Sequence, residues 1–153
     1  MRAKYFFIAA RLMMGTIFLL AGSCATLTMK GYEGQDLSTD KTAVIEKGIY
    51  LYINKCDGVD LGSFQNKVIV LPGDHTIEVS FQTQTMGDFV SYSNETASLT
   101  FKAEAGHAYV AHAHRVSAEG WIAYLMDKKT GERVAQSEIL PVIQEWIMNR
   151  LMW

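Results

Sequence analysis

The sequence predicts an all-β protein built as one antiparallel β-sandwich, and three observations carry that prediction. Between residues 43 and 137 short segments alternate apolar and polar side chains, the period of a half-buried strand. Gly, Pro and Asp turn signals interrupt them roughly every 8 to 12 residues, the rhythm of an Ig-like or transthyretin-like sandwich. A chain of 153 residues, 49% hydrophobic, has the length of a single domain.

The strands follow in order. "GIYLYIN" alternates, with Ile49, Leu51 and Ile53 on one face and Tyr50, Tyr52 and Asn54 on the other. Asp57-Gly58 then reverses the chain. "KVIVL" (67–71) is a β-branched run suited to burial on both sides. In "PGDH", Pro72 presets φ and Gly73 accepts a positive one, which predicts a type II turn. "HTIEVSFQT" turns Ile77, Val79 and Phe81 inward. The polar stretch 84–96 reads as a long loop, after which "ASLTFKAEA" alternates through Leu99, Phe101 and Ala103. "AYVAHAHRV", "GWIAYLMD" and "RVAQ" supply the last strands, the final two joined by the "DKKTGE" hairpin loop.

The chain's two ends differ from this pattern. After Pro141, "VIQEWIMNRLMW" holds eight Val, Ile, Met, Leu or Trp residues in twelve, with Ile143, Trp146, Ile147 and Leu151 at helical spacing. The expectation is a short C-terminal apolar helix over 138–153 that covers the sandwich or meets a membrane or partner, with Trp146, Ile147, Leu151 and Trp153 as its contact residues. At the start, Arg2 and Lys4 precede a charge-free apolar run from Leu12 to Gly22, then Ser23 and Cys24. A basic start, a short apolar centre and a small-residue exit define a secretory signal over 1–23. An uncleaved anchor helix starting at Tyr5 would bury Arg11 in hydrocarbon at considerable cost. Residues 24–42 are polar and Gly-bearing and read as a tether to the folded part. Losing Arg2, Lys4 and Arg11 takes Lys plus Arg from 14 to 11 against 16 Asp plus Glu, a net charge of −5. That balance argues against nucleic acid and against electrostatic adsorption to anionic lipid.

"LAGSC" resembles a bacterial lipobox, in which the cysteine is acylated and becomes the first residue of the mature chain. Ala21 stands where leucine is commonest in that motif. The strings "GYEGQDLSTDKTAVI", "INKCDGVDLG", "VIVLPGDHTIEVSF", "LTFKAEAGHAYVAHAHR" and "GWIAYLMDKKTGERVA" together resemble a family of small proteobacterial outer-membrane lipoproteins. The resemblance spans nearly the whole mature chain; Cys56 stands where the family pattern leads one to expect an aliphatic residue. It implies lipidation at Cys24, membrane attachment through the acyl chains, and, with Ala25 rather than Asp after the cysteine, an outer-membrane, periplasm-facing location. It brings no activity, ligand or catalytic residue. With Cys24 acylated, Cys56 has no intramolecular partner and reads as a small buried hydrophobe; a 24–56 disulfide is open only without lipidation.

Candidate chemistry is sparse. His112 and His114 project from one face of a strand, the way a strand offers two imidazoles to one metal, though zinc needs three or four ligands. His75 and His107 each follow a turn, where a turn-stabilising hydrogen bond is the expected role. Tyr50, Tyr52, Tyr92, Tyr109, Trp121 and Tyr124 are candidates for a sugar-binding face, although half-buried strands favour aromatics anyway. No nucleophile elbow, phosphate loop or His-Glu-x-x-His motif occurs. The expected product is a non-enzymatic, cofactor-free envelope lipoprotein that binds or organises an envelope protein partner. The alternative is a glycan- or metal-binding module.

Overall fold

The alternating segments pair into two sheets in the computed structural model, which describes residues 28–62, 65–84 and 89–146. The strands are β1 (Thr28–Lys30), β2 (Ala43–Lys47), β3 (Leu51–Cys56), β4 (Val59–Asp60), β5 (Lys67–Val70), β6 (Gly73–Gln84), β7 (Phe89–Tyr92), β8 (Ala97–Ala103), β9 (Ala108–Arg115), β10 (Gly120–Asp127), β11 (Arg133–Gln136), β12 (Leu140–Pro141) and β13 (Ile143–Trp146). The first sheet runs β1-β5-β2-β9-β10-β11, with β12 also on β10. The second runs β13-β7-β6-β3-β4, with β8 also on β6.

The inward positions of both sheets form one core. In β6, Ile77, Val79 and Phe81 are buried, and β8 buries Ala97, Leu99, Phe101 and Ala103, as their alternation predicts. Trp121 is fully enclosed and stacks on Phe81 across the sandwich, with ring centres 5.3 Å apart. Phe101 packs on Tyr109 at 5.0 Å, and the Tyr109 hydroxyl accepts the Glu104 N–H at 2.9 Å. In β5 only Val68 and Val70 are fully buried, so that strand is covered on one face rather than two.

The pairing is mixed rather than wholly antiparallel. β1 pairs parallel to β5, and β2 parallel to β9. The cause is the crossover at the end of β2, where the chain leaves the first sheet for the second. Gly48 makes that exit possible. Its N–H donates to Ala111 O at 2.8 Å, and a Cβ there would lie 2.4 Å from the same oxygen. Ile49 and Tyr50 then form an exposed turn, Tyr50 with φ of 65°, instead of the first residues of a strand.

Three other expectations are corrected. The C-terminal helix is absent from 138–146, because Ile143 to Trp146 form β13 and pair with β7 through Ile143↔Tyr92 and Trp146↔Phe89. The partner strand lies inside the stretch read as a loop. Ile147, Leu151 and Trp153 lie outside the described residues. The 24–42 tether is shorter than expected, since Thr28 to Lys30 already join β5 in the first sheet. At Pro72-Gly73 the glycine has φ of 145° and opens β6, so the turn is not the type II geometry.

Candidate functional site

One end of the sandwich gathers the turns 57–58, 71–73, 104–107 and 128–131, and two histidine–aspartate pairs tie them together. The first is built on the hairpin between β3 and β4. Asp57 and Gly58 have φ of 51° and 79°, the two positive values of a type I′ turn. That turn brings Asp57 beside the start of β6, where its Oδ1 accepts the Thr76 N–H at 2.9 Å. Its Oδ2 lies 2.6 Å from His75 Nδ1, and His75 Nε2 lies 2.7 Å from Leu71 O. Burial opposes ionisation of Asp57, but the Thr76 N–H and the His75 ring hold its carboxyl below the usual carboxylate range.

Cys56 joins this group through a backbone irregularity. Pairing of β3 with β6 shifts between Ile53 and Lys55, so Asn54 bulges and the strand changes parity. Leu51, Ile53 and Cys56 therefore all face inward. Cys56 is 3% exposed, and its Sγ lies 3.8 Å from Asp57 Oδ2. Burial, and then the neighbouring carboxylate, push its thiol pKa up to about 12, so it is no thiolate nucleophile. Cys56, Asp57 and His75 are the one group of three or more His, Cys, Asp or Glu donors among the described residues whose atoms converge, all within 4.8 Å of one another.

The second pair differs. His107 Nδ1 lies 2.6 Å from Asp127 Oδ2, and Asp127 is only 4% exposed. Asp127 Oδ1 accepts the Lys129 N–H at 2.8 Å, which also shapes the β10–β11 hairpin. Burial would raise the Asp127 pKa; the His107 ring and the Lys129 and Thr130 N–H groups outweigh it and lower the pKa. His107 Nε2 has the Lys129 ammonium at 3.1 Å and the exposed Glu104 carboxylate farther off at 3.5 Å. The closer contact governs, so Nε2 accepts from Lys129 and Nδ1–H donates to Asp127. Both histidines thus tie turns together.

The other predicted site residues do not assemble. His112 stacks on Tyr124 at 5.3 Å on the outer face of the first sheet, and the Arg133 guanidinium covers the same ring at 4.2 Å. His114 is exposed further along β9, and no third donor among the described residues completes a metal set with these two. The aromatics share no common face: Tyr109 and Trp121 are core, Tyr124 lies between His112 and Arg133, and Tyr92 donates to Glu145 at 2.7 Å.

The opposite end of the sandwich exposes several apolar side chains among charged ones such as Arg115, Glu119 and Glu138. Thr28 pairs with Lys67, Lys67 with Glu46, and Lys47 with Ala111, which sets the start of β1 beside the Gly48–Tyr50 turn. Here Ile49 is 77% and Ile139 66% exposed. Val116 and Ile139 converge over Gly120, where their methyl carbons come within 3.3 and 2.9 Å of the position a Cβ would take.

Asp57 and Asp127, which orient the two histidines, were missed as partners by the sequence reading; the one available signal was the Asp-Gly turn, read only as a reversal. Comparison of the chain with protein-family models, curated proteins and solved structures finds no significant match.

Proposed function

We propose that the chain is a lipid-anchored protein of the bacterial outer membrane, facing the periplasm. Acyl chains on Cys24 hold a non-catalytic sandwich with its apolar end toward the bilayer, where it binds or organises an envelope partner. The observation that carries this reading is the position of β1. Only Ala25, Thr26 and Leu27 separate Cys24 from Thr28. Four residue steps reach at most about 14 Å however they run. An anchor on Cys24 therefore keeps the start of β1 close to the headgroups, and the exposed Ile49, Tyr50, Val116 and Ile139 lie at that same end. Apolar side chains so placed add interfacial contact to an acyl anchor.

Given an anchor on Cys24, the short reach supports a domain held against the membrane rather than on a long stalk. Mass spectrometry of the native product tests the anchor: the first peptide should begin at Cys24 and carry the mass of fatty acyl chains. An unmodified thiol at Cys24, or a retained leader, overturns it.

A further inference from the structure

We propose that Cys56, Asp57 and His75 form a binding site for a borderline-soft divalent cation of the zinc class. The inference does not depend on how the chain is anchored, since the three residues lie at the end away from the start of β1.

The donor orientations carry the argument. Leu71 O can only accept, so the proton on His75 must sit on Nε2, 2.7 Å away. Nδ1 then faces Asp57 Oδ2 at 2.6 Å, a space that a hydrogen bond fills and that a cation held by the two atoms can take over. A metal-bound histidine characteristically donates its other N–H to a backbone carbonyl, and His75 is held that way already. Asp57 is oriented likewise, with Oδ1 occupied by the Thr76 N–H and Oδ2 left for the metal.

The distances suit zinc. Bonds of about 2.0 to 2.3 Å at tetrahedral angles set donors roughly 3.3 to 3.6 Å apart. Cys56 Sγ and Asp57 Oδ2 stand 3.8 Å apart, and the His75–Asp57 separation has to open by less than about 1 Å once the shared proton leaves. Zinc ligation displaces the Cys56 thiol proton to solvent, and a sulfur, a nitrogen and an oxygen then favour zinc over calcium or magnesium, which take oxygen donors. Three protein ligands leave the fourth position to water, with entry past Asp57, whose side chain is 41% exposed. His107 is the internal contrast: the same 2.6 Å contact to an aspartate, but an ammonium at Nε2 and, among the described residues, no third donor that converges with the pair.

The test is titration of the full chain with Co²⁺ and then Zn²⁺, with circular dichroism of each variant to establish that it folds. We expect one Co²⁺ per chain, tetrahedral visible bands, a sulfur-to-cobalt charge-transfer band, and displacement by Zn²⁺. Cys56→Ala should abolish the charge-transfer band. Asp57→Asn should weaken binding more than about 10-fold, the least that losing even a supporting partner of a metal site costs. Absence of Co²⁺ and Zn²⁺ binding by the unaltered chain overturns the proposal whatever the variants do. So does binding that survives Cys56→Ala and Asp57→Asn unchanged, or binding abolished by His112→Ala/His114→Ala.

Discussion

The two ends of this sandwich differ in what their turns carry, exposed isoleucines at one and histidine–aspartate pairs at the other, although Val59 and Leu71 leave apolar surface exposed at the second end too. At one end, Ile49, Tyr50, Val116 and Ile139 stand exposed, among the likewise exposed Arg115, Glu119 and Glu138. At the other, the turns are laced by two histidine–aspartate contacts of 2.6 Å, and one of the carboxylates is nearly enclosed. Apolar exposure costs little free energy where a membrane or protein will cover it, whereas buried charge is tolerated only when paired. The difference teaches that a β-sandwich separates its tasks by end: the core side chains fix the fold, and the turns decide what each end can meet.

The largest expected effect concerns the apolar end. Behind a leader that is cleaved without lipidation, a Cys24→Ser chain should move from the membrane to the soluble fraction, measured by fractionation and immunoblot, because exposed apolar turns alone do not give stable attachment. Retention of the variant in the membrane would break the comparison by showing that the turns, not the acyl chains, hold the domain.

At the polar end, His107→Ala leaves the Asp127 carboxylate buried with only backbone N–H partners. Breaking a fully buried pair costs 3–5 kcal/mol; with those N–H bonds retained we expect about 2–3 kcal/mol by urea unfolding. The pH dependence has a definite sign. Asp127 is more acidic in the folded state than unfolded, so its contribution is fully present above the unfolded carboxylate pKa. It is lost as pH falls through the lowered folded value. Acid unfolding should therefore begin at higher pH in His107→Ala than in the parent chain.

A smaller cost is expected where the chain changes sheets. Gly48→Ala places a methyl 2.4 Å from Ala111 O, and the forced shift should destabilise the fold by about 1–3 kcal/mol in thermal or urea unfolding. Smallest of all, Ile49→Ser with Ile139→Ser should change stability by less than about 0.5 kcal/mol per site, since both side chains are mostly exposed. Binding of the delipidated domain to vesicles should nonetheless fall, and an unchanged vesicle affinity would remove the apolar end from the account.

Much of the fold was legible because strand alternation reports burial directly, as in Ile77, Val79 and Phe81 or Leu99, Phe101 and Ala103. The Asp57-Gly58 hairpin was legible for the same local reason. What escaped was set by distant partners. Ile143 to Trp146 carry a helical spacing, yet they pair with Phe89 to Tyr92, itself too polar in its flanks to read as a strand. Neither segment declares itself without the other. Cys56 is buried as its sequence predicts, but the means was hidden: strict alternation from Leu51 and Ile53 would turn it outward, and the bulge at Asn54 brings it in. At the polar end, the turn-tying roles of His75 and His107 could be expected from their positions. Their aspartate partners lie 18 and 20 residues away and depend on the pairing of whole strands.

The proposed orientation of the sandwich on a bilayer is tested most directly by spin labels on the protein isolated with its native membrane, placed singly at positions 49, 139 and 130. Labels at 49 and 139 should be relaxed by oxygen dissolved in the lipid and shielded from a water-soluble nickel chelate, while the label at 130, in the hairpin of the opposite end, should show the reverse. A label at 130 that is shielded by lipid, or three labels equally open to water, would contradict it.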